Sequence, residues 1–103
     1  MAKDLPPAAA KLAEENPEVW DAFTRLGEAC GNAGPLDGRT RHLVKIAIAI
    51  AARSEGATHS HVRRALADGV PAEEIRHAAI LIAPTFGFPQ AVAGLTWIDD
   101  VMA

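Results

Sequence analysis

The residues best suited to chemistry lie between Ser54 and Leu66, in the segment SEGATHSHVRRAL. Successive helical residues turn by about 100°, so Thr58, His61, Val62, Ala65 and Gly69 share one face, apolar apart from its histidine. An imidazole in such surroundings serves as a general acid or base near neutral pH, and the first turns of a helix favour its neutral, proton-accepting form. The alternative is a buried histidine that only hydrogen-bonds within the fold. No cysteine, aspartate or glutamate stands at helical spacing from His61 on that face. Ser54 and Ser60 lack the Gly-x-Ser-x-Gly elbow of a serine nucleophile. On a helix His59 and His61 point about 200° apart and do not share an ion. A metal site drawn from His61, His42 and Glu55 has no local ligand signature, so neither metal nor cofactor is expected. Arg64 and Asp68 read as an outer i,i+4 pair, and Glu73 and His77 as another.

The elements that position these residues follow from punctuation and periodicity. Pro7 to Glu15 is an alanine-rich, weakly amphipathic helix. Asn16-Pro17-Glu18 opens a second helix, with asparagine as cap, proline at the first position and an acid in the first turn. Val19, Trp20, Phe23, Leu26, Gly27 and Cys30 form its apolar stripe, which makes Cys30 a buried small hydrophobe. Gly31 to Gly34 ends it. Asp37 caps a helix that runs to about Arg53. Its Leu43–Ile50 stretch alternates in part like a strand, but its length and interleaved alanines favour a helix buried on most sides. The helix carrying His61 ends at Gly69, a residue suited to a left-handed cap. Pro71-Ala72-Glu73-Glu74 opens the next, with Ile75, Ala78, Ala79, Ile82 and Ala83 inward. Pro84 and Gly87 end or kink it. Pro89 opens the last helix, where Ala91, Leu95, Ile98 and Met102 share a face.

The expected fold is therefore all-α: a single domain over residues 1–103, of five or six helices about a central helical hairpin. Half of the 103 residues are hydrophobic and 22% are charged, which suits a packed globular chain too small to hide all its apolar surface, so self-association is expected. The net charge of −3 argues against nucleic acid as partner. Cys30 is the sole cysteine, which excludes an internal disulfide and a cysteine-built zinc site. The start, with Lys3, Asp4 and two prolines, does not resemble a signal peptide. The longest apolar run, Ile46 to Ala52, is too short to span a bilayer. A cytoplasmic protein without membrane contact is expected.

The order and spacing of several pieces resemble the carboxymuconolactone decarboxylase and alkylhydroperoxidase D-like family. These are Leu36-Asp37, Thr40-Arg41, the apolar stretch Leu43 to Ala52, His61-Val62-Arg63-Arg64-Ala65-Leu66, Gly69, Glu73-Glu74-Ile75-Arg76, Ala83 and Gly87-Phe88-Pro89-Gln90-Ala91. They cover most of residues 36–95. The resemblance implies an all-helical fold assembling into homo-oligomers, commonly trimers or hexamers. In the peroxidase branch, cysteines stand seven and four residues before the family histidine, where this chain has Ser54 and Ala57. That branch also carries a relay glutamate where this chain has His42. Peroxide reduction by that route needs an attacking thiolate and a resolving thiol. Neither is present, so thiol peroxidase activity is not expected. The decarboxylase branch dispenses with the cysteines and keeps the histidine. By that resemblance His61 manages protons while a carboxylated lactone loses carbon dioxide or shifts a double bond, with His42 or Glu55 assisting. Arg41, Lys45 and Arg53 are the candidates for holding a small anionic substrate. His42 is open to two readings, as a relay partner of His61 or as a residue facing solvent or a neighbouring subunit. Two further functions stand beside the lyase or isomerase: a non-catalytic oligomeric binding or scaffold protein on the same fold, and a residual redox role for Cys30.

Overall fold

The structure is a computed structural model that describes residues 5–102; Lys3 and Asp4 lie outside the described residues. Among the described residues the regular structure is helical throughout: α1 (Pro7–Glu15), α2 (Pro17–Gly31), α3 (Gly38–Ala51), α4 (Glu55–Ala67), α5 (Ala72–Ile80), α6 (Ala83–Phe86) and α7 (Phe88–Met102). The all-α expectation is met, with α6 a single four-residue turn. The alternating Leu43–Ile50 stretch is helix. By its internal contacts the chain forms two compact units, Met1–Leu36 and Asp37–Ala103.

The first unit pairs α1 with α2. Both helices begin with proline, whose missing N–H is no loss at the first helical position. Asn16 departs from expectation: its side chain caps nothing, and its carbonyl accepts from Val19 and Trp20 at 3.1 Å each. The Trp20 and Phe23 rings meet in a tilted pair 5.6 Å apart. The apolar stripe of α2 is present but uncovered, with Val19, Phe23 and Leu26 all exposed. Cys30 is likewise exposed, not buried as its stripe suggests. The physical reason is length: nine-residue α1 cannot cover the stripe of fifteen-residue α2, and neither helix has a buried residue.

The second unit holds the core. Asp37 caps α3 as expected, accepting from the Thr40 N–H at 2.8 Å. That backbone bond, with help from the Thr40 side chain, holds the Asp37 carboxyl below its ordinary range. Helices α3 and α4 form the central hairpin, and α5 and α7 pack on it. Ile46, Ile50, Val62, Ile75 and Ile98 are fully buried, each contributing about 1.5–3 kcal/mol of transfer free energy. Gln90 ties α7 to the end of α3 by donating to the Ile50 carbonyl at 2.6 Å.

Two similar turns fix the hairpin's ends. After α3, the Ser54 N–H bonds the Ala49 carbonyl and the Arg53 N–H bonds that of Ile50, both at 2.9 Å. After α4, Val70 and Gly69 repeat the pattern to Ala65 and Leu66, both at 3.0 Å. Both are Schellman turns, which need a left-handed residue. Gly69 supplies it freely at φ 85°, whereas Arg53 adopts φ 60° with a side chain, at roughly 1 kcal/mol of strain. The next helix opens on a cap: Ser54 Oγ accepts from the Ala57 N–H at 3.2 Å.

Candidate functional site

His61 sits in the middle of α4, on the helix face whose other members, Thr58, Val62 and Ala65, are fully buried. The ring itself is half-buried. Its pKa is pushed down to about 4, first by that burial, then by the charges of Arg64, Lys45 and His42. His61 is therefore a neutral imidazole at physiological pH. Among the described residues no hydrogen bond engages its ring nitrogens, and no buried side-chain nitrogen or oxygen lacks a partner. Both statements hold together when the nitrogens reach the surface.

His42 lies on α3 and is among the charges that act on His61. Its Nε2 is 2.7 Å from Asp68 Oδ2, just beyond the end of α4. Beside an acceptor-only carboxylate, His42 Nε2 is the donor of that bond. Asp68 is thus claimed by His42, and the expected Arg64–Asp68 pair does not form. Arg64 instead donates to Ser60 Oγ at 2.7 Å, one turn back on its own helix. Periodicity along one helix misses a partner on the neighbouring helix, and a cross-helix contact overrides it here.

The remaining candidates divide. Lys45, one turn from His42 on α3, adds its charge to the His61 environment. Arg41 acts instead on Asp37 at the start of α3. Arg53 occupies the left-handed position of the α3–α4 turn. Glu55 is not brought to His61: its carboxylate is 3.9 Å from His59 Nε2. His59 also meets Asp100 of α7, at 3.0 Å, so His59 and His61 diverge as helical geometry requires. The Glu73–His77 pair is absent among the described residues; it is Glu74 that is engaged, by Arg39. Sequence reasoning passed over Arg64 as a charge on His61, and Asp68 as the partner of His42. The i,i+3 spacing of His42 and Lys45 was the signal available for a shared face.

The second unit also carries an apolar groove along α3, α5 and α6, lined by Val44, Ile48, Leu81 and Phe86 among others. Among the described residues no helix is long and apolar enough to cross a membrane.

Similar proteins agree with this architecture. A crystal structure of an apo carboxymuconolactone decarboxylase family protein from Legionella pneumophila superposes with a TM-score of 0.80 at 25% identity, over 99% of this chain and 94% of that one. An uncharacterised protein of Haemophilus influenzae is 31% identical over 55 residues, which are 53% of this chain and 49% of the relative. The match thus spans about half the length of that relative. The model of the carboxymuconolactone decarboxylase family matches residues 17–100, a span that includes His42, His61 and the helices that carry them. A match of that extent, on the same helical frame, makes this chain a member of the carboxymuconolactone decarboxylase family.

Proposed function

We propose that the chain is a cofactor-free lyase or isomerase acting on a small carboxylated molecule, with His61 as general acid/base and no thiol peroxidase activity. One observation carries this reading: His61 is half-buried and neutral, yet among the described residues no protein group engages its nitrogens. A ring held in place by packing, with its nitrogens unclaimed among the described residues, is free to exchange a proton with a bound molecule. In a double-bond shift the neutral ring takes a proton from one carbon and returns it at another. In a decarboxylation, the carbon–carbon bond breaks with its electron pair left on carbon as carbon dioxide departs, and the ring, having taken up a proton from water, delivers it to that carbon. The Lys45 and Arg64 charges that disfavour an imidazolium also favour a bound carboxylate. His42, oriented by Asp68, stands as the second proton-handling group, and Arg41 and Arg53 as outer contributors to anion attraction. Glu55 has no part in this chemistry.

The arrangement makes substrate binding tune the base. A carboxylate arriving beside His61 offsets the cations and raises the ring's pKa above its free-enzyme value of about 4, while the larger effect of burial stays in place. On a substrate that undergoes the proton shift, the acid limb of kcat/KM, which reports the free enzyme, is expected near pH 4. The acid limb of kcat, which reports the complex, is expected at higher pH. Both limbs fall as pH drops, because protonation removes the base. Coincident limbs near pH 6.5 would contradict the reading. So would a screen of carboxylated lactones whose turnover is unchanged in His61→Gln.

The working form is proposed to be a homo-oligomer, trimer or hexamer, in the cytoplasm. The exposed Ile48 and Phe86 support assembly, since a groove lined by such residues is costly to leave in water. The free thiol of Cys30 suits a reducing compartment. Light scattering is expected to show a multiple of the 10.8 kDa chain, and a smaller mass for Ile48→Asp. A wild-type monomer at micromolar concentration would remove this part of the proposal.

A further inference from the structure

A second cluster of chemically capable side chains lies between α4 and α7, outside the His61 environment. Glu55 and His59 are one turn apart on α4, and Asp100 comes from the last turn of α7. His59 Nε2 is 3.0 Å from Asp100 Oδ2 and 3.9 Å from Glu55 Oε2. One ligand atom from each of the three residues lies within 4.8 Å of the other two. Zinc bonds to nitrogen and oxygen run to about 2.0–2.2 Å, which sets ligand atoms of a tetrahedral site about 3.4 Å apart. The two shorter separations bracket that value, and modest rotamer adjustment closes the third. Imidazole with carboxylates suits zinc and its first-row neighbours rather than calcium or magnesium.

Charge supplies an independent reason. Among the described residues no lysine or arginine pairs with Glu55 or Asp100, so two carboxylates share a single imidazole. Asp99 and Asp100 both stand in the last turn of α7, which holds no basic residue. A helix C-terminus disfavours negative charge and favours a cation. Asp99 is relieved by Arg76. Among the described residues Asp100 has only His59. A protonated His59 offsets one of the two carboxylates, whereas a dication on a neutral His59 offsets both. His59 is also the most covered of the three, with 21% of its side chain exposed, so its ring is already held in place for a ligand.

We propose that Glu55, His59 and Asp100 bind one divalent transition-metal cation, with water completing the coordination. The site joins the first turn of α4 to the last turn of α7 and is separate from the chemistry assigned to His61.

Calorimetric titration of chelator-treated full-length protein with Zn²⁺ is expected to show one saturable site per chain. Asp100→Asn and His59→Gln are each expected to weaken it about tenfold or more, whereas His61→Gln, His42→Gln and His77→Gln leave it unchanged. Co²⁺ absorption should show the same dependence and identify an imidazole-containing site independently of heat. Asp100→Asn is nearly isosteric, and circular dichroism checks that the helices persist. Absence of saturable Zn²⁺ binding to the wild type overturns the proposal. Binding that survives both Asp100→Asn and His59→Gln, or that follows His42 or His61 instead, overturns it equally. Binding is read without turnover, so its failure leaves the His61 chemistry standing and the reverse also holds.

Discussion

His61→Gln is expected to lower kcat on a carboxylated lactone by about 10²–10⁴-fold, the usual contribution of a positioned acid or base. Glutamine retains polar atoms and comparable bulk but neither accepts nor releases a proton in this range. Ground-state binding should change little, because the charges favouring a carboxylate belong to Lys45 and Arg64 rather than to the neutral ring. The loss should therefore fall on kcat, with KM within a few-fold of wild type. The melting temperature should also stay close, since no hydrogen bond from the described residues to the ring is removed. A variant with full kcat would sink the catalytic assignment and leave the family fold as a binding scaffold. A variant that unfolds would point to packing as the role of His61.

Gly94→Val is expected to produce a large loss of stability by overpacking the contact between α7 and α3. Gly94 is buried in α7 where that helix meets α3. A Cβ built there lies 2.7 Å from Ile50 Cγ2, 2.8 Å from Cδ1 and 3.1 Å from Cγ1. Ile50 is fully buried, and its branching at Cβ leaves few rotamers through which to withdraw. Overpacking of this kind costs about 2–3 kcal/mol, or roughly 10–20 °C in melting temperature for a domain of this size. The contact also predicts its own suppressor. Ile50→Ala alone leaves a cavity and costs about 2–5 kcal/mol, but in the Gly94→Val background it removes all three clashing atoms. The double variant should be more stable than the sum of the singles by at least about 1 kcal/mol. Strict additivity would show that α7 shifts away from α3 instead.

The helices were legible because their boundaries are written in local chemistry. Asp37, Gly69 and the prolines act within one turn of themselves, and the inward isoleucines repeat at helical spacing. The same locality explains what was missed. Cys30 lies on an apolar stripe, but a stripe does not state whether a neighbour is long enough to cover it. Asp68 is four residues from Arg64 and yet belongs to His42, twenty-six residues away in sequence. His59 was set aside because it diverges from His61, and the carboxylate it meets on α7 is invisible to any pattern within α4. The apolar surroundings of His61 were readable from SEGATHSHVRRAL. The freedom of its nitrogens was not, since that depends on every element packed around it.

The hydroxyl that caps α4 has one more consequence. Ser54 and Ala57, the two positions where peroxidase relatives carry sulfur, are joined by the bond from the Ala57 N–H to Ser54 Oγ. Exchanging that oxygen for sulfur would set a thiol at the positive end of a helix, where a thiolate is stabilised. An electrostatic setting that stabilises a thiolate therefore persists in this chain, occupied by an atom that uses it to begin a helix. At Ser54 the change is one element; at Ala57 a second sulfur has no counterpart atom to replace.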